Sequence, residues 1–364
     1  MNPILTLGPL NVTPFGLMVF AGAIVGTFLA LRKKENLAVL PFVILGALLI
    51  GHMWWTFFCP PAYTAQEGVA ALMLRIWDGG YTLYGALFGG FLGAVVGAKL
   101  QKLDLVDTLD SLAPGACAAL LFCRLGEYFS GQGFGDSVYD ERLWFFPVSM
   151  CTYQEEGYQE WAYAVWAWEA IAALILLVLL LARSKKALRG QQVILFVTGL
   201  GASQIVLEQV RRDDFVRLNP FVRFSQIAAL ISIIAVLIVL TVRRRPEKKV
   251  IIASFTELVL ASLAIAFAEF VFEKPQFLIP LYASFIAAVV GLIVLLVITR
   301  GKRSLFFSIP FTLAAAALLA VHMADQWDDD AWLLYGMIAL SAIALAAIIF
   351  VNASRKNLPQ AVKA

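Results

Sequence analysis

Charge is scarce in this chain. Only 15% of its 364 residues are Asp, Glu, Lys or Arg, whereas a soluble domain carries about 25%. Histidine occurs twice and cysteine four times, with no Cys-x-x-Cys and no His-x-x-x-His spacing, so neither a zinc site nor any other metal centre is expected. The net charge of +3 provides no basic surface of the kind that binds nucleic acid. These shortages exclude an ordinary soluble enzyme, a disordered chain and a nucleic-acid binder. What fills the space is apolar: 61% of the residues are hydrophobic and the mean hydropathy is +0.83.

A helix needs roughly 20 mostly apolar residues to cross lipid, because hydrocarbon offers its backbone no hydrogen-bond partner. Eleven such runs are present, at about 14–31, 38–59, 81–99, 108–126, 161–182, 191–208, 226–242, 250–272, 277–299, 305–323 and 332–351. They are long and continuous, without the period-two alternation of lipid-facing strands. The expected fold is therefore an all-α, polytopic integral membrane protein of about eleven spans. Most Lys and Arg residues fall after odd-numbered runs, in clusters such as Arg32–Lys34, Arg183–Arg189 and Arg243–Lys249, while the opposite loops carry Asp136, Asp140, Glu155 and Glu156. This places the N-terminus outside and the C-terminus in the cytoplasm. The opening residues lack a basic start and a small-residue cleavage site, so the first run reads as a retained span. Cys59 and Cys151 share the outer side, which permits a disulfide. The chain divides after the basic cluster into a seven-span part, 1–245, and a four-span extension, 246–364, with no repeat linking them.

Chemistry-bearing residues concentrate in the first part. Gly85, Gly89, Gly93 and Gly97 lie four apart in the third run, a smooth face that admits either a neighbouring helix or an acyl chain. Gly79 and Gly80 precede that run, where free backbone N–H groups suit an anionic headgroup. Arg124 lies near the outer end of the fourth run. An arginine there either snorkels to the surface or faces a polar partner. The residues after it, Gly126, Glu127, Ser130, Gly131, Gln132, Gly133, Gly135 and Asp136, form a glycine-rich turn loaded with hydrogen-bonding groups and favour a phospholipid-headgroup site. Glu169 and Glu208 are carboxylates within apolar runs that require pairing or protonation, and Arg124 is a candidate partner for either. His52 reads as a hydrogen-bonded helix contact. No role emerges for Glu257. The tryptophans and tyrosines of 144–168 form an interfacial belt or wall a groove.

At these residues the sequence resembles the prolipoprotein diacylglyceryl transferase family, over about residues 10–245. TPFGLMVF, RIWDGGYTLYGALFGG, APG followed by CRLGEYFSGQGFG, WEAI, and VLEQVRRDD followed by FSQI match the order of the family's segments. The resemblance implies a plasma-membrane transferase that moves a diacylglyceryl group from phosphatidylglycerol to the lipobox cysteine thiol of a prolipoprotein signal peptide, in contact with membrane lipid and without a cofactor. By resemblance Arg124, Glu208 and Tyr84 take catalytic roles, and Glu127, beside Arg124, is a fourth catalytic candidate. The resemblance gives Gly126, Gly131, Gly135 and Arg211 substrate-binding roles, and Gly79, Gly80, Gly85, Gln132, Glu169 and Gln204 join them as candidates from their place in or beside the matched segments. The chain departs from the pattern at Phe15, where the family has Tyr; at Glu127 and Ser130, where it has Asn; at Gln132, where it has Glu; and at Gln204, where it has Arg. Glu127 adds a carboxylate beside Arg124 that serves as the base or neutralises the arginine. The rival expectations are a non-catalytic relative that binds phospholipid or lipoprotein precursors and, more remotely, a transporter.

Overall fold

The first described helix starts where its sequence dictates. Thr13 accepts a hydrogen bond from the Gly16 N–H at 3.1 Å, and Pro14, which has no N–H to satisfy, opens α1 (Pro14–Ala30). The computed structural model describes residues 4–7, 10–58, 73–75, 80–155, 158–185, 187, 189–212, 217–219 and 222–244. Six further helices follow: α2 (Leu40–Phe58), α3 (Leu83–Leu100), α4 (Leu105–Ser130), α5 (Val165–Arg183), α6 (Gln191–Leu207) and α7 (Phe224–Arg244). Each coincides with one of the first seven apolar runs. Among the described residues, α2, α3, α4 and α5 are long and apolar enough to cross a membrane. The four runs expected between 250 and 351 lie outside the described residues.

The described residues are mostly helical, as expected, and add short strands that the apolar runs do not mark. Three short antiparallel strand pairs accompany the helices: β1 (Leu5–Leu7) with β2 (Leu10–Val12) before α1, β3 (Ser149–Glu155) with β4 (Tyr158–Tyr163) between α4 and α5, and β5 (Arg217–Asn219) with β6 (Val222–Arg223) between α6 and α7. Their strands are too short to display a period, and the aromatics of 144–168 read equally well as an interfacial belt. The fifth helix accordingly begins at Val165 rather than 161, because Tyr158–Tyr163 is strand. Conversely, α4 exceeds its expected run of 108–126 at both ends. Asp104 accepts from the Asp107 N–H at 3.0 Å and adds a first turn, and Gly131, at φ +69°, closes the last.

The chain forms two compact units. The first comprises Met1–Phe196 and Leu207–Ala228 and is built on two helix pairs, α1 against α4 and α2 against α3, with α5 on α4. The pairs close at glycine. A side chain at Gly26 would meet the Gly115 carbonyl at 2.6 Å, and one at Gly89 would collide with the Gly46 carbonyl. Of the two readings of the glycine face, the packed-helix one describes what is seen: Gly85, Gly89, Gly93 and Gly97 all press on α2. In lipid no hydrophobic drive joins helices, so such backbone proximity is what permits tight packing. The second unit comprises Val197–Val206 and Ala229–Ala364; its described residues include the buried Thr198 and Gln204 of α6.

At the end opposite the α4 C-terminus, Arg189 pairs with Asp104 and, at 3.2 Å, with Asp107, while Asp110 accepts from the N–H groups of Gly190 and Val193. The Arg189 hydrogen bond holds the Asp104 carboxyl below its ordinary range. Replacing Gly89 by Leu forces α2 and α3 apart. We expect a loss of about 1–3 kcal/mol of stability, the range for overpacking, visible as a lower thermal midpoint in detergent, whereas Ile24→Leu on an exposed face of α1 leaves the midpoint unchanged.

Candidate functional site

Two arginines and two glutamates meet at one end of the helix bundle. Arg124 and Glu127 stand three residues apart on α4, close enough to face each other across one turn. Glu169 comes from the second turn of α5, and Arg211 from the segment after α6. Arg124 pairs with Glu127 and, at 3.2 Å, with Glu169. Arg211 pairs with Glu169 at 2.7 Å and with Glu127 at 3.3 Å. Each carboxylate therefore touches both guanidiniums, and the four charges close into a ring. All four side chains are less than a tenth exposed: 7% for Arg124, 9% for Glu127, 2% for Glu169 and 9% for Arg211. Carboxylates and guanidiniums withdrawn from water in this way hold together only while every member is present; removing one partner of a buried pair costs about 3–5 kcal/mol.

Local structure explains how separate segments deliver these groups. After Gly131 the chain folds back over the end of α4, and the Gln132 N–H reaches the Glu127 carbonyl at 3.2 Å. Gly133, at φ +75°, passes so close to Glu127 that a Cβ would sit 2.6 Å from its carboxylate oxygen. Gly135 bridges to Arg211, and the Arg212 N–H donates to the Phe134 carbonyl at 2.8 Å, so the glycine-rich turn holds the arginine segment by its backbone. Arg223, 7% exposed at the end of β6 just before α7, donates from its guanidinium to the Arg211 carbonyl. On the other side the Trp166 N–H donates to the Gly133 carbonyl at 2.6 Å, fixing the start of α5 and with it Glu169.

Arg124, Glu127, Glu169 and Arg211 thus come together, and Gly126 and Gly135 serve the surrounding packing, Gly126 against Phe15 and Met18 of α1 and Gly135 against Tyr163 and Val210. Arg124 neither snorkels nor points into bulk water. Tyr84 is half-buried at the start of α3, its buried hydroxyl has no hydrogen-bond partner among the described residues, and it lies within the electrostatic reach of Glu208, Arg124 and Glu169. Glu208 is half-buried in the single turn after α6 and, among the described residues, forms no ion pair; the partner of Arg124 is Glu169. Gly131 and Gln132 are exposed. Gly85 packs on Trp54 and Gly51. Gly80, at φ +77°, lies against the Trp55 ring, with its carbonyl 3.0 Å from His52 Nδ1, so His52 is a buried hydrogen-bonded contact. Gln204 is buried on α6. Gly79 and Cys59 lie outside the described residues, as does any Cys59–Cys151 pairing. Sequence reasoning did not single out Arg223, Trp166 or the structural part of Gly133. A charged residue directly before an apolar run was the available signal for Arg223.

Beyond the membrane-capable helices, Arg212 pairs with Glu160 of β4, and Ser137 donates to the same carboxylate oxygen at 3.0 Å.

The helices and the buried ring define a polytopic membrane protein with two guanidiniums held in a non-aqueous site, an arrangement suited to a phosphate-bearing lipid. The profile of the prolipoprotein diacylglyceryl transferase family matches residues 2–242, and the chain belongs to that family. A relative from Tropheryma whipplei (strain Twist) is 28% identical over 219 residues, covering 56% of this chain and 79% of its own. One from Bacillus velezensis is 24% identical over 258 residues, covering 67% and 93%. One from Frankia alni is 27% identical over 258 residues, covering 66% and 65%. All three are named phosphatidylglycerol–prolipoprotein diacylglyceryl transferase.

The hydrogen bond from Arg212 holds the Glu160 carboxyl below the ordinary carboxylate range. A depressed value means that the pair contributes to stability above the ordinary pKa and loses that contribution as pH falls through the folded value. In Arg212→Ala, Glu160 should titrate near the ordinary value of about 4.3, read from carboxyl-carbon NMR shifts of Glu-labelled protein.

Proposed function

We propose that this chain transfers a diacylglyceryl group from phosphatidylglycerol to the cysteine thiol of a prolipoprotein. The observation that carries the reading is the pair of buried guanidiniums, Arg124 and Arg211, brought from separate segments to the same two carboxylates. Preorganised cations in a site without water stabilise charge developing on a leaving phosphate far more than they would in water. Phosphate oxygens of the donor replace Glu127 at the two arginines. Released from both partners in a buried site, the Glu127 carboxylate takes the thiol proton. The sulfur attacks the glyceryl carbon that bears the phosphate ester. The S–C bond forms as the C–O bond breaks, the bonding pair leaves with the phosphate oxygen, and the proton returns from Glu127 to the departing glycerol phosphate. Glu169 stays in place and keeps the two arginines registered. Tyr84 offers its unsatisfied hydroxyl as a further donor to the lipid headgroup.

Gly131 and Gly135 shape the turn that admits the headgroup, while Gly126 seats that end of α4 against α1. The ring lies at the outer membrane face, with the N-terminus outside and the C-terminus cytoplasmic, and residues 246–364 form a separate four-span extension. A second reading, phospholipid binding without turnover, is favoured by one observation: the resting ring leaves both arginines neutralised, and Gln132 stands exposed where the family carries an acid.

Expression in cells depleted of their own transferase separates the two. Rescue of prolipoprotein lipidation is the expected outcome; correct membrane insertion without lipidation would overturn the transferase reading. Arg124→Ala should lower kcat/KM at least about 100-fold, as for loss of one preorganised donor, while Arg75→Ala stays within about threefold. Glu127→Gln should lower turnover about 100-fold or more and make it climb with pH through the thiol range near 8.5, because solvent then supplies the thiolate. Unchanged turnover with an unchanged pH profile would move the proton acceptor elsewhere.

A further inference from the structure

Beside the ring, within the same compact unit, lies a cleft of about 540 Å³. One wall is the end of α4 and its capping turn, with Tyr128, Phe129 and Gly131; the other is the β3–β4 hairpin and the segment after α6, with Thr152, Glu160 and Arg212. The volume falls in the range of ligand-binding pockets, about 300–1,000 Å³. The position is set twice over by the chain itself. Glu127 belongs to the ring and Tyr128 to the cleft; Arg211 belongs to the ring and Arg212 to the cleft.

We infer that this cleft binds the extended polypeptide that follows the acceptor cysteine of the protein substrate. The inference rests on the transfer reading, which requires a cysteine thiol at the ring. The apolar stretch of a signal peptide precedes that cysteine and stays in the membrane, so the residues after it must leave the bilayer close to the ring. The axial distance from Glu127 to Gly131 is about 6 Å, a span that two or three extended residues cover.

The lining suits a main chain rather than a lipid tail. A bulge between Cys151 and Tyr153 sets Thr152 out of register, with its hydroxyl donating to the Glu160 carbonyl at 3.1 Å. The Thr152 hydroxyl and the Glu160 carboxylate give the lining polar groups that suit a main chain and not an acyl tail. Aromatic rings of Tyr128 and Phe129 supply flat apolar contact, and the Glu160–Arg212 pair supplies one charge of each sign at the mouth.

The test uses the full chain in nanodiscs and two synthetic lipobox peptides, one ending at the cysteine and one extended by six residues. With phosphatidylglycerol present, the long peptide should show about tenfold lower KM than the short one, at similar kcat. Thr152→Trp fills the cleft and should raise the KM of the long peptide to that of the short one, while Tyr139→Ala, at a fully solvated position outside the cleft, changes neither. Equal KM for both peptides, with lipidation proceeding, would overturn this inference and leave the transfer reading intact. A benzophenone placed three residues after the cysteine gives a readout without turnover. In phosphatidylcholine nanodiscs its crosslinks should map to 128–131 and 151–160. Crosslinks elsewhere overturn the inference even if neither peptide is lipidated, a result that by itself would count against the transfer reading.

Discussion

The architecture at the C-terminal end of α4 depends on one electrostatic arrangement: two guanidiniums and two carboxylates, each buried, each touching both of its opposites. None of the four is stable there alone. Desolvation of a single unpaired charge would outweigh the packing gained by bringing its segment in. The ring therefore acts as a condition on assembly. α4, α5 and the segment after α6 must all be in place before any one of the four charges can leave water. The glycines of the capping turn serve that condition. Gly133 lets the backbone cross directly over Glu127, and Gly135 admits the strand-like contact that fixes Arg211.

The same arrangement carries the proposed chemistry. A site for a phosphate ester needs positive charge, but two free arginines in a bilayer would be too costly to keep. Pairing them with glutamates resolves the conflict, and in the proposed reaction the donor's own phosphate takes over the role of Glu127. On that proposal the proton acceptor becomes available only when the lipid is bound. Its position three residues from Arg124 on one helix face makes this exchange a short movement of one side chain rather than a rearrangement of helices.

Much of this was legible in the sequence, and the remainder fails for identifiable reasons. Apolar runs marked the seven helices because lipid imposes a length and a composition on anything that crosses it. Arg124 and Glu169 stand out because charge within such runs is rare, whereas Arg211 is marked by the family resemblance alone and Glu127 by its place beside Arg124 in the signature segment. The mutual geometry of the four is not marked. The pairing of Arg124 with Glu169 rather than Glu208 depends on helix rotation, which an apolar run leaves undefined on all sides. Gln132 looked equivalent to its neighbours in the turn, but the left-handed backbone at Gly131 and Gly133 turns it to solvent while Glu127 stays inside. The hairpins escaped notice because strands of two to seven residues beside long helices leave no periodic trace.

The glycine crossings of α1 with α4 and of α2 with α3 have a thermal consequence. Contacts of backbone against backbone in hydrocarbon owe nothing to the release of ordered water; they are held by dispersion between closely fitted surfaces. The burial that stabilises a water-soluble core weakens on cooling, since its driving force near room temperature is entropic. These helix pairs have no such dependence. The scaffold that carries the ring should keep its grip in the cold, when the surrounding acyl chains stiffen and a looser bundle would begin to separate.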